Sequence, residues 1–546
     1  MKSYRMTNQA GFATLIALLM LGMLTLIGLA ALSTSDDEVV IAGNELQEMR
    51  AFYAAEAGLE RITALMQQEY DSTGAPPVTM PSGSDSLNLC SITYVASDDG
   101  AAEQKILTSG SLSGLHALVK SFTISSEAVS EVDQCAVQVS QSFETALVPI
   151  FQFAVFYEND LWATPANDMT IGGRVHVNGN MYLQANTDMY FNGRVTASGG
   201  IHHGFPGGMY SGSYGDVWFK DNSGAYQSMY QGGDWLDCDD PDWYVDASSR
   251  WGGQVRDEAF GEESLNLPLT NGSHDAHKII ERAAGNPDSY ENKADLRIID
   301  GVPYANVSGS WTDVSAWLPA GTITNTSFYD DREDEWVNST DIDMGLLAGS
   351  AYFPSNGVVY SSDQRSGYNG TRLKNGSDIG SPLSVFCENP VYVQGDYNTV
   401  DKQPAAICAD AVTYLSNSWN DTYSNYSYGY RNATATTVNA SMITGDLDTD
   451  VQTYSGGLAN LPRFLENWAG RDFTLRGSMV ALWRTRQASG YWHYGDSYAY
   501  YSAPTRNYVF DTDLNDPNKL PPATPAVRVF NRTGWQQSHI SFVASE

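Results

Sequence analysis

The sequence predicts an α+β chain with a long N-terminal helix, a small antiparallel sheet and a large, mainly β domain of the solenoid type with insertions. No charged side chain occurs within residues 12–35, and apolar and polar residues alternate in residues 89–95 and 135–140. From residue 169, short apolar segments are separated by glycine and asparagine. The first pattern predicts a membrane-spanning helix, the second antiparallel strands, and the third the short strands of stacked coils.

The chain is strongly acidic, with 64 acidic residues against 30 basic ones and a formal net charge of -34. Such a surface repels phosphate backbones, so we expect no nucleic-acid partner. Only 17% of the residues are charged, while tyrosine, with 32 residues, and glycine, with 49, are abundant. This composition is typical of an exported β protein with many turns rather than of a cytosolic helical enzyme.

The N-terminal apolar run is long enough to span a membrane as one helix. Lys2 and Arg5 precede it and no acidic residue does, which predicts a single pass with the N-terminus in the cytoplasm. A secretory signal peptide is the alternative, but its apolar region is usually shorter. Beyond the run, apolar side chains at helical spacing predict that the helix continues to about residue 70. These side chains are Met49, Phe52, Tyr53, Leu59, Ile62 and Met66.

Two motifs near the N-terminus resemble those of known filament subunits. Gly11-Phe12 follows a short basic leader and resembles a prepilin cleavage site. Residues 41–62, IAGNELQEMRAFYAAEAGLERI, resemble the N-terminal domain of PilX-type minor pilins of type IV pili. The resemblance implies that prepilin peptidase cuts after Gly11 and methylates the amine of Phe12.

The same resemblance implies an architecture and a location for the N-terminal part. Residues 1–11 are then the leader, and residues 12–70 the pilin helix, which crosses the inner membrane over about residues 12–35. Other pilins are the implied partners of this helix. The mature chain is expected to leave the inner membrane and to end in an extracellular filament at the cell surface.

One position departs from the family pattern. Most major pilins carry glutamate at the fifth mature position, where it meets the N-terminal ammonium of a neighbour, whereas this chain has Ile16. An ammonium without a counter-charge is costly in an apolar environment. The departure favours a minor subunit at the filament tip, and it also fits a tip pseudopilin of a type II-like secretion system.

The rest of the chain is predicted to form two β regions. Residues 71–150 are expected to be a small pilin-like sheet, and residues 151–546 a large solenoid-like domain. Within the latter, residues 204–356 are interpreted as an irregular insertion, a lid or side domain, with a helix at residues 274–284. Four short strands precede the insertion, with a β-meander as the alternative to stacked coils. The predicted strands are 175–177, 181–183, 189–191 and 195–197.

The five cysteines are widely separated and none belongs to a CxxC motif. This spacing does not indicate a zinc ribbon or a thioredoxin-like site, and in an exported chain it favours structural disulfides. We expect the pairs Cys90–Cys135 and Cys387–Cys408, with Cys238 as a free thiol. Because connectivity cannot be deduced from sequence, five buried free thiols are the alternative.

A calcium ion is the one cofactor that the sequence indicates. Asp511, Asp513, Asn515 and Asp516 place oxygen ligands close together, as calcium loops do. The segment lacks the central glycine and distal glutamate of an EF-hand, so a solvated turn is the alternative.

Four histidines are weaker metal-ligand candidates, with ordinary polar surface histidines as the alternative. They are His202 and His203, which are adjacent, and His274 and His277 on the predicted helix.

The sequence contains no catalytic motif that we recognise, so we predict that the chain is not an enzyme, with a membrane-anchored β-helix carbohydrate-active enzyme as an alternative. Residues 416–432 and 489–502 are rich in tyrosine and tryptophan, which suits binding of a surface glycan or a protein, or packing of the solenoid. The sequence therefore predicts a minor pilin-like subunit that assembles through its helix and displays a large head for pilus biogenesis or adhesion.

Overall fold

The structure, a computed structural model, describes residues 9–132, 135–205, 215–449, 455–493 and 499–542. Its first element is a single continuous helix, α1 (Gln9–Thr73), which confirms the predicted long helix. A small antiparallel sheet follows. Its strands are β1 (Ser82–Leu87), β2 (Cys90–Asp98), β3 (Glu103–Ile106), β4 (His116–Ser130) and β5 (Cys135–Pro149).

The second half of α1 packs on this sheet along a narrow stripe. Leu59, Ile62 and Met66 are buried there, as the spacing predicts, but Met49 and Tyr53 are 52% and 63% exposed. Small side chains form the N-terminal part of the stripe instead. They are Ala51, Ala54 and Ala55, which pack with the apolar face of β2, β4 and β5. The predicted stripe is therefore wrong at its N-terminal end, because the helix there lies too close to the sheet for large side chains between them.

A parallel β domain follows the small sheet and begins with short strands wound in coils. Strands of successive coils pair in parallel on each face, for example β6 with β9 and β9 with β12. The four strands predicted from sequence are confirmed as β9 to β12. The strands of this first run are β6 (Phe153–Tyr157), β7 (Leu161–Ala163), β8 (Met169–Ile171), β9 (Arg174–Val177), β10 (Met181–Leu183), β11 (Met189–Phe191), β12 (Val195–Ala197), β13 (Ile201–His203), β14 (Val217–Lys220), β15 (Tyr226–Ser228), β16 (Tyr230–Gln231), β17 (Asp234–Trp235) and β18 (Val255–Arg256).

A second run of coils is built from the rest of the domain. Helix α2 (Trp243–Trp251) precedes β18 in the first run, and helix α3 (Met344–Ala348) lies between strands of the second run. Most of its strands also pair in parallel with the previous coil. The strands are β19 (Leu296–Ile299), β20 (Val302–Val307), β21 (Ser310–Asp313), β22 (Ile323–Asp330), β23 (Glu335–Asp343), β24 (Val358–Ser362), β25 (Tyr368–Lys374), β26 (Leu383–Cys387), β27 (Val391–Gln394), β28 (Ala405–Ala409), β29 (Val412–Leu415), β30 (Thr436–Asn439), β31 (Ser441–Asp446), β32 (Arg463–Phe464), β33 (Asp472–Arg476), β34 (Met479–Arg484) and β35 (Thr505–Val509).

The two runs meet in the middle of the solenoid. The last coil of the second run pairs with the first coil of the first run, with Met479 of β34 opposite Val155 of β6. One 12-stranded sheet therefore continues across both runs, in the order β18-β12-β9-β6-β34-β31-β28-β26-β24-β19-β20-β21. The chain thus winds outward from the middle, crosses to the far end, and winds back.

The crossing segment corrects the predicted insertion. Residues 257–295 form a strap along the outer face of the 12-stranded sheet, where Ile279, Ile280 and Tyr290 pack against outward-facing side chains such as Phe386. The other parts of the predicted insertion, on either side of the strap, belong to the coils themselves and include β14, β18, β22 and β23. The predicted helix at 274–284 is wrong, since only a short 3₁₀ turn, Ala276–Ile279, forms there.

The C-terminal strand returns to the small sheet. β36 (Ala526–Phe542) pairs antiparallel with β5, and the sheet order becomes β1-β2-β4-β5-β36, with β3 beside β4. The sequence-based boundary, which assigns everything after residue 150 to the large domain, is therefore corrected at its C-terminal end. The solenoid is inserted between two neighbouring strands of the small sheet.

Candidate functional site

The first candidate site is the exposed half of α1. Every described side chain from Gly11 to Leu46 is exposed, including Phe12 and Leu18, each 68% exposed. Among the described residues, α1 is the one helix long and apolar enough to cross a membrane. An apolar surface of this length is stable only in a bilayer or against other apolar helices.

The second half of α1 holds this surface against the head through close packing. Gly58 lies so near the sheet that a Cβ there would be 2.3 Å from Ser126 Oγ and 2.6 Å from Ile92 Cγ2. Ala54, Ala55 and Leu59 around it are buried. The AAEAGLE motif, residues 54–60, therefore has a physical role, because its small residues let helix and sheet approach.

The returning strand β36 adds polar contacts to the same helix. The guanidinium of Arg532 makes two hydrogen bonds to the Glu60 carboxylate, at 2.5 and 3.0 Å, and Arg528 pairs with Asp71. The Phe530 ring meets Tyr70 edge-on with ring centres 5.3 Å apart. The anchor of α1 thus combines residues from both ends of the chain.

A second candidate site is a cleft of about 590 Å³ where the two runs of coils meet. On one face of this junction, β6 pairs with β34 and the 12-stranded sheet is continuous. On another face, β7 and β32 belong to different sheets of the described chain. Asn167 and Phe205 line the cleft from the first run, and Trp492 and Tyr501 from the second. Its volume lies within the usual range for small-ligand sites.

The polar groups of the cleft form an ordered network. Asn460 Oδ1 accepts hydrogen bonds from the Tyr501 hydroxyl and from Arg506, both at 2.6 Å, and the Trp492 indole donates to the Tyr501 hydroxyl at 2.7 Å. Aromatic surfaces next to amides and a guanidinium suit ligands with both apolar faces and hydroxyl groups. Saccharides have this chemistry.

The two aromatic-rich segments have different positions. In residues 416–432, Tyr430 is 68% exposed and Tyr426 is also exposed, away from the cleft. In residues 489–502, Trp492 and Tyr501 line the cleft, and residues 494–498 lie outside the described part of the chain. The sequence indicated both segments equally, and only the fold shows that one of them lines a cleft while the other carries exposed tyrosines.

The predicted calcium residues are engaged by lysines. Lys402 Nζ lies 2.6 Å from Asp511 Oδ2 and 2.8 Å from Asp513 Oδ2, and Lys519 Nζ lies 2.8 Å from Asp513 Oδ1. The side chains of Asp511 and Asp516 also accept hydrogen bonds from backbone N–H groups at the start of two short 3₁₀ turns, and Asn515 is the last residue of the first turn. The ammonium groups of Lys402 and Lys519 hold the pKa of Asp513 down to about 2. The arrangement favours the turn over a calcium site, and calcium binding stays a prediction.

The structure separates the predicted pair Cys387 and Cys408. Cys408 is opposite Phe386 in the neighbouring coil, and alternate residues of a strand point to opposite faces. Cys387 therefore faces the solenoid interior while Cys408 faces the strap, and both are free thiols. This predicted bridge is wrong. Cys90 and Cys135 lie on β2 and β5, on either side of β4, and their bridge stays a prediction.

The histidines also differ from the sequence-based interpretation. His274 is exposed, whereas His277 is buried and contacts Glu281 and Asp410, so the two do not form a metal pair. His203 stacks on Trp235 with ring centres 3.5 Å apart. His202 lies beside Cys238, a contact that no sequence spacing indicated, because the two are 36 residues apart.

The predicted processing residues, Gly11 and Phe12, lie in the first turns of α1 and are exposed. Cleavage after Gly11 would therefore remove only the first residues of the helix and leave the apolar surface intact.

No protein-family model matches the chain, and no curated protein is significantly similar to it. Among solved structures, the competence-associated pilin ComZ from Thermus thermophilus aligns over 91% of this chain and 98% of its own length, with 11% sequence identity and a TM-score of 0.27. A likeness at this TM-score carries no argument about fold or function.

Proposed function

We propose that this chain is a minor pilin-like subunit of a type IV pilus or a related filament. The division of α1 into two halves carries the proposal. From Gly11 to Leu46 the helix is exposed, and it carries no charged side chain before Asp36. From Ala51 to Met66 it packs on an antiparallel sheet. A helix of this kind resides first in the inner membrane and then packs against the helices of other pilins.

The head is the part that such a filament displays. We propose that its cleft between the two runs of coils binds a cell-surface saccharide without acidic groups, since aromatic rings and amides line the cleft. The net charge of -34 disfavours anionic partners. We propose binding without catalysis, so the head serves adhesion or filament biogenesis.

A second candidate is a tip pseudopilin of a type II-like secretion system. Ile16, in place of the usual glutamate, favours a position at the end of an assembly in either system. The two candidates differ in what assembles, since a pilus subunit occurs in long surface filaments and a pseudopilin does not.

Mass spectrometry of the mature chain tests the shared part of the proposal. In cells with active prepilin peptidase we expect a chain that begins with N-methylated Phe12, and in cells without the peptidase the intact leader. Gly11→Val should block cleavage, whereas Gly22→Val, in the middle of the apolar run, should leave processing unchanged. An intact leader in cells that process their other prepilins would contradict the proposal.

The location of the processed chain then separates the candidates. We expect it in sheared surface filaments, identified by antibody labelling. Its absence from filaments in cells that carry them, together with a secretion defect on deletion, would favour the pseudopilin.

A further inference from the structure

A cluster of three different metal-ligating side chains lies outside the cleft and the helix. His202 comes from β13, the last strand of its face in the first run of coils, and Cys238 and Asp239 come from the loop between β17 and α2. Their ligand atoms all lie within 4.8 Å of one another. The fold brings this loop over β13 through a backbone hydrogen bond from Cys238 N–H to the Ile201 carbonyl, at 3.0 Å.

Two of the ligand-atom separations are close to those around a four-coordinate ion. His202 Nδ1 lies 3.3 Å from Cys238 Sγ and 3.3 Å from Asp239 Oδ2. With zinc-to-ligand bonds of about 2.0 to 2.3 Å, tetrahedral angles separate neighbouring ligand atoms by roughly 3.3 to 3.6 Å. A direct N–H···O hydrogen bond is typically shorter, near 2.9 Å. Both separations from Nδ1 are compatible with two ligands of one ion. Cys238 Sγ also lies 3.5 Å from His202 Nε2, so a turn of the imidazole ring would direct one of its nitrogens at the shared ion.

The surrounding residues hold this geometry. The Tyr182 ring stacks on His202 with ring centres 4.8 Å apart and an interplanar angle of 10°. The Asp237 carboxylate accepts hydrogen bonds from the backbone N–H groups of His203, at 2.9 Å, and Asp239, at 3.0 Å, which ties the loop to the strand. Gly200 leaves the necessary space, because a Cβ there would lie 2.5 Å from Cys238 Sγ.

The electrostatic environment favours a cation. The carboxylates of Asp237, Asp239, Asp257 and Glu258 all act electrostatically on the Cys238 thiol. Negative charges around the cluster stabilise a bound divalent cation. Asp239 is 79% exposed, so an ion can reach the cluster from solvent.

We propose that His202, Cys238 and Asp239 bind a divalent cation of the zinc class, with water in the fourth position. Nitrogen, sulfur and oxygen ligands together suit zinc and cobalt better than calcium or magnesium. On binding, the ion displaces the thiol proton, which is released to solvent, and no electron is transferred. The bound ion joins the loop to the end strand β13.

Cobalt(II) titration of the full-length chain in detergent tests the proposal, because cobalt–thiolate bonds give a charge-transfer absorption band. We expect a saturable band with one ion per chain and loss of the band in Cys238→Ser. In His202→Gln and Asp239→Asn we expect affinity to fall about tenfold or more. His274→Gln removes an exposed imidazole outside the cluster and should leave the titration unchanged.

A second measurement uses the unmodified chain and does not depend on variants that fold. Alkylation of Cys238, followed by mass spectrometry, should slow at least about tenfold when Zn²⁺ is added, since a metal-bound thiolate is protected. An absent cobalt band, a band that persists in Cys238→Ser, or an alkylation rate that Zn²⁺ does not change would each overturn the proposal.

Discussion

Pro149 and Ala526 are register partners at the ends of the neighbouring antiparallel strands β5 and β36. The chain leaves the small sheet at one of these residues and returns at the other, so the whole solenoid is an insertion between two paired strands. A sheet that is interrupted at a strand end keeps its hydrogen-bond ladder and its core. The helix and the small sheet therefore form one unit, and the inserted solenoid leaves its hydrogen-bond ladder and its core intact.

Excision of the solenoid should leave a folded small unit. We expect a chain in which an Asn-Gly turn replaces residues 150–525 to retain α1 and the antiparallel sheet, because β5 and β36 then form a hairpin. Circular dichroism and cooperative chemical unfolding check this. Deletion of residues 526–546 is the matched comparison and should weaken the head, since it exposes β5 as an edge and removes the contacts of Arg532 to Glu60. An unfolded excision variant would contradict the prediction.

Gly58 should be intolerant of even one added methyl group. Gly58→Ala places a Cβ within 2.6 Å of Ile92 and is expected to lower the free energy of unfolding of the head by about 1 to 3 kcal/mol. Gly43→Ala is the control, because a Cβ there has nothing within 4 Å and the change should be neutral or slightly stabilising. Denaturant midpoints measure both. Equal changes in the free energy of unfolding at the two positions would show that helix propensity, rather than the helix–sheet distance, determines the effect of the added methyl group.

Glu466 should make the head more stable at mildly acidic than at mildly basic pH. Its carboxylate accepts hydrogen bonds from the backbone N–H and the hydroxyl of Ser416, at 2.5 and 2.7 Å, and burial raises its pKa to about 7. Because the folded-state pKa lies above the unfolded value of about 4.3, the folded chain binds the proton more tightly, and stability falls as the pH rises through this window.

Glu466→Gln keeps the shape and removes the titration. Relative to the unaltered chain, we expect the variant to be more stable at about pH 8 than at about pH 5 by roughly 1 to 3 kcal/mol. Urea unfolding at the two pH values measures this difference. An identical difference at both pH values would show that Glu466 does not change its protonation between the folded and unfolded states in this range.

Trp492 should be central to ligand binding in the cleft. Trp492→Ala removes an aromatic wall and a hydrogen bond to Tyr501, and we expect the affinity for a saccharide identified on a glycan array to fall about tenfold. Tyr430→Ala removes an equally aromatic but exposed side chain outside the cleft and should leave the affinity unchanged. Loss of binding in the second variant alone would move the site to the exposed tyrosine patch.

Local patterns predicted several elements well because they depend on neighbours in the sequence. The uncharged run predicts the exposed half of α1, and glycine and asparagine between short apolar segments predict β9 to β12. The same approach failed for Met49 and Tyr53, because the distance between helix and sheet, set by Gly58 and the alanines, excludes large side chains there.

The sequence by itself determined the apolar helix, the short strands β9 to β12 and the acidic net charge, because each follows from composition and the spacing of nearby residues. Only the tertiary structure decided that β34 pairs with β6, that β36 pairs with β5, that Cys387 and Cys408 face apart, and that His202 meets Cys238. These contacts join residues far apart in the chain. Many distant partners are equally compatible with the local pattern, and the packing of the whole chain selects among them.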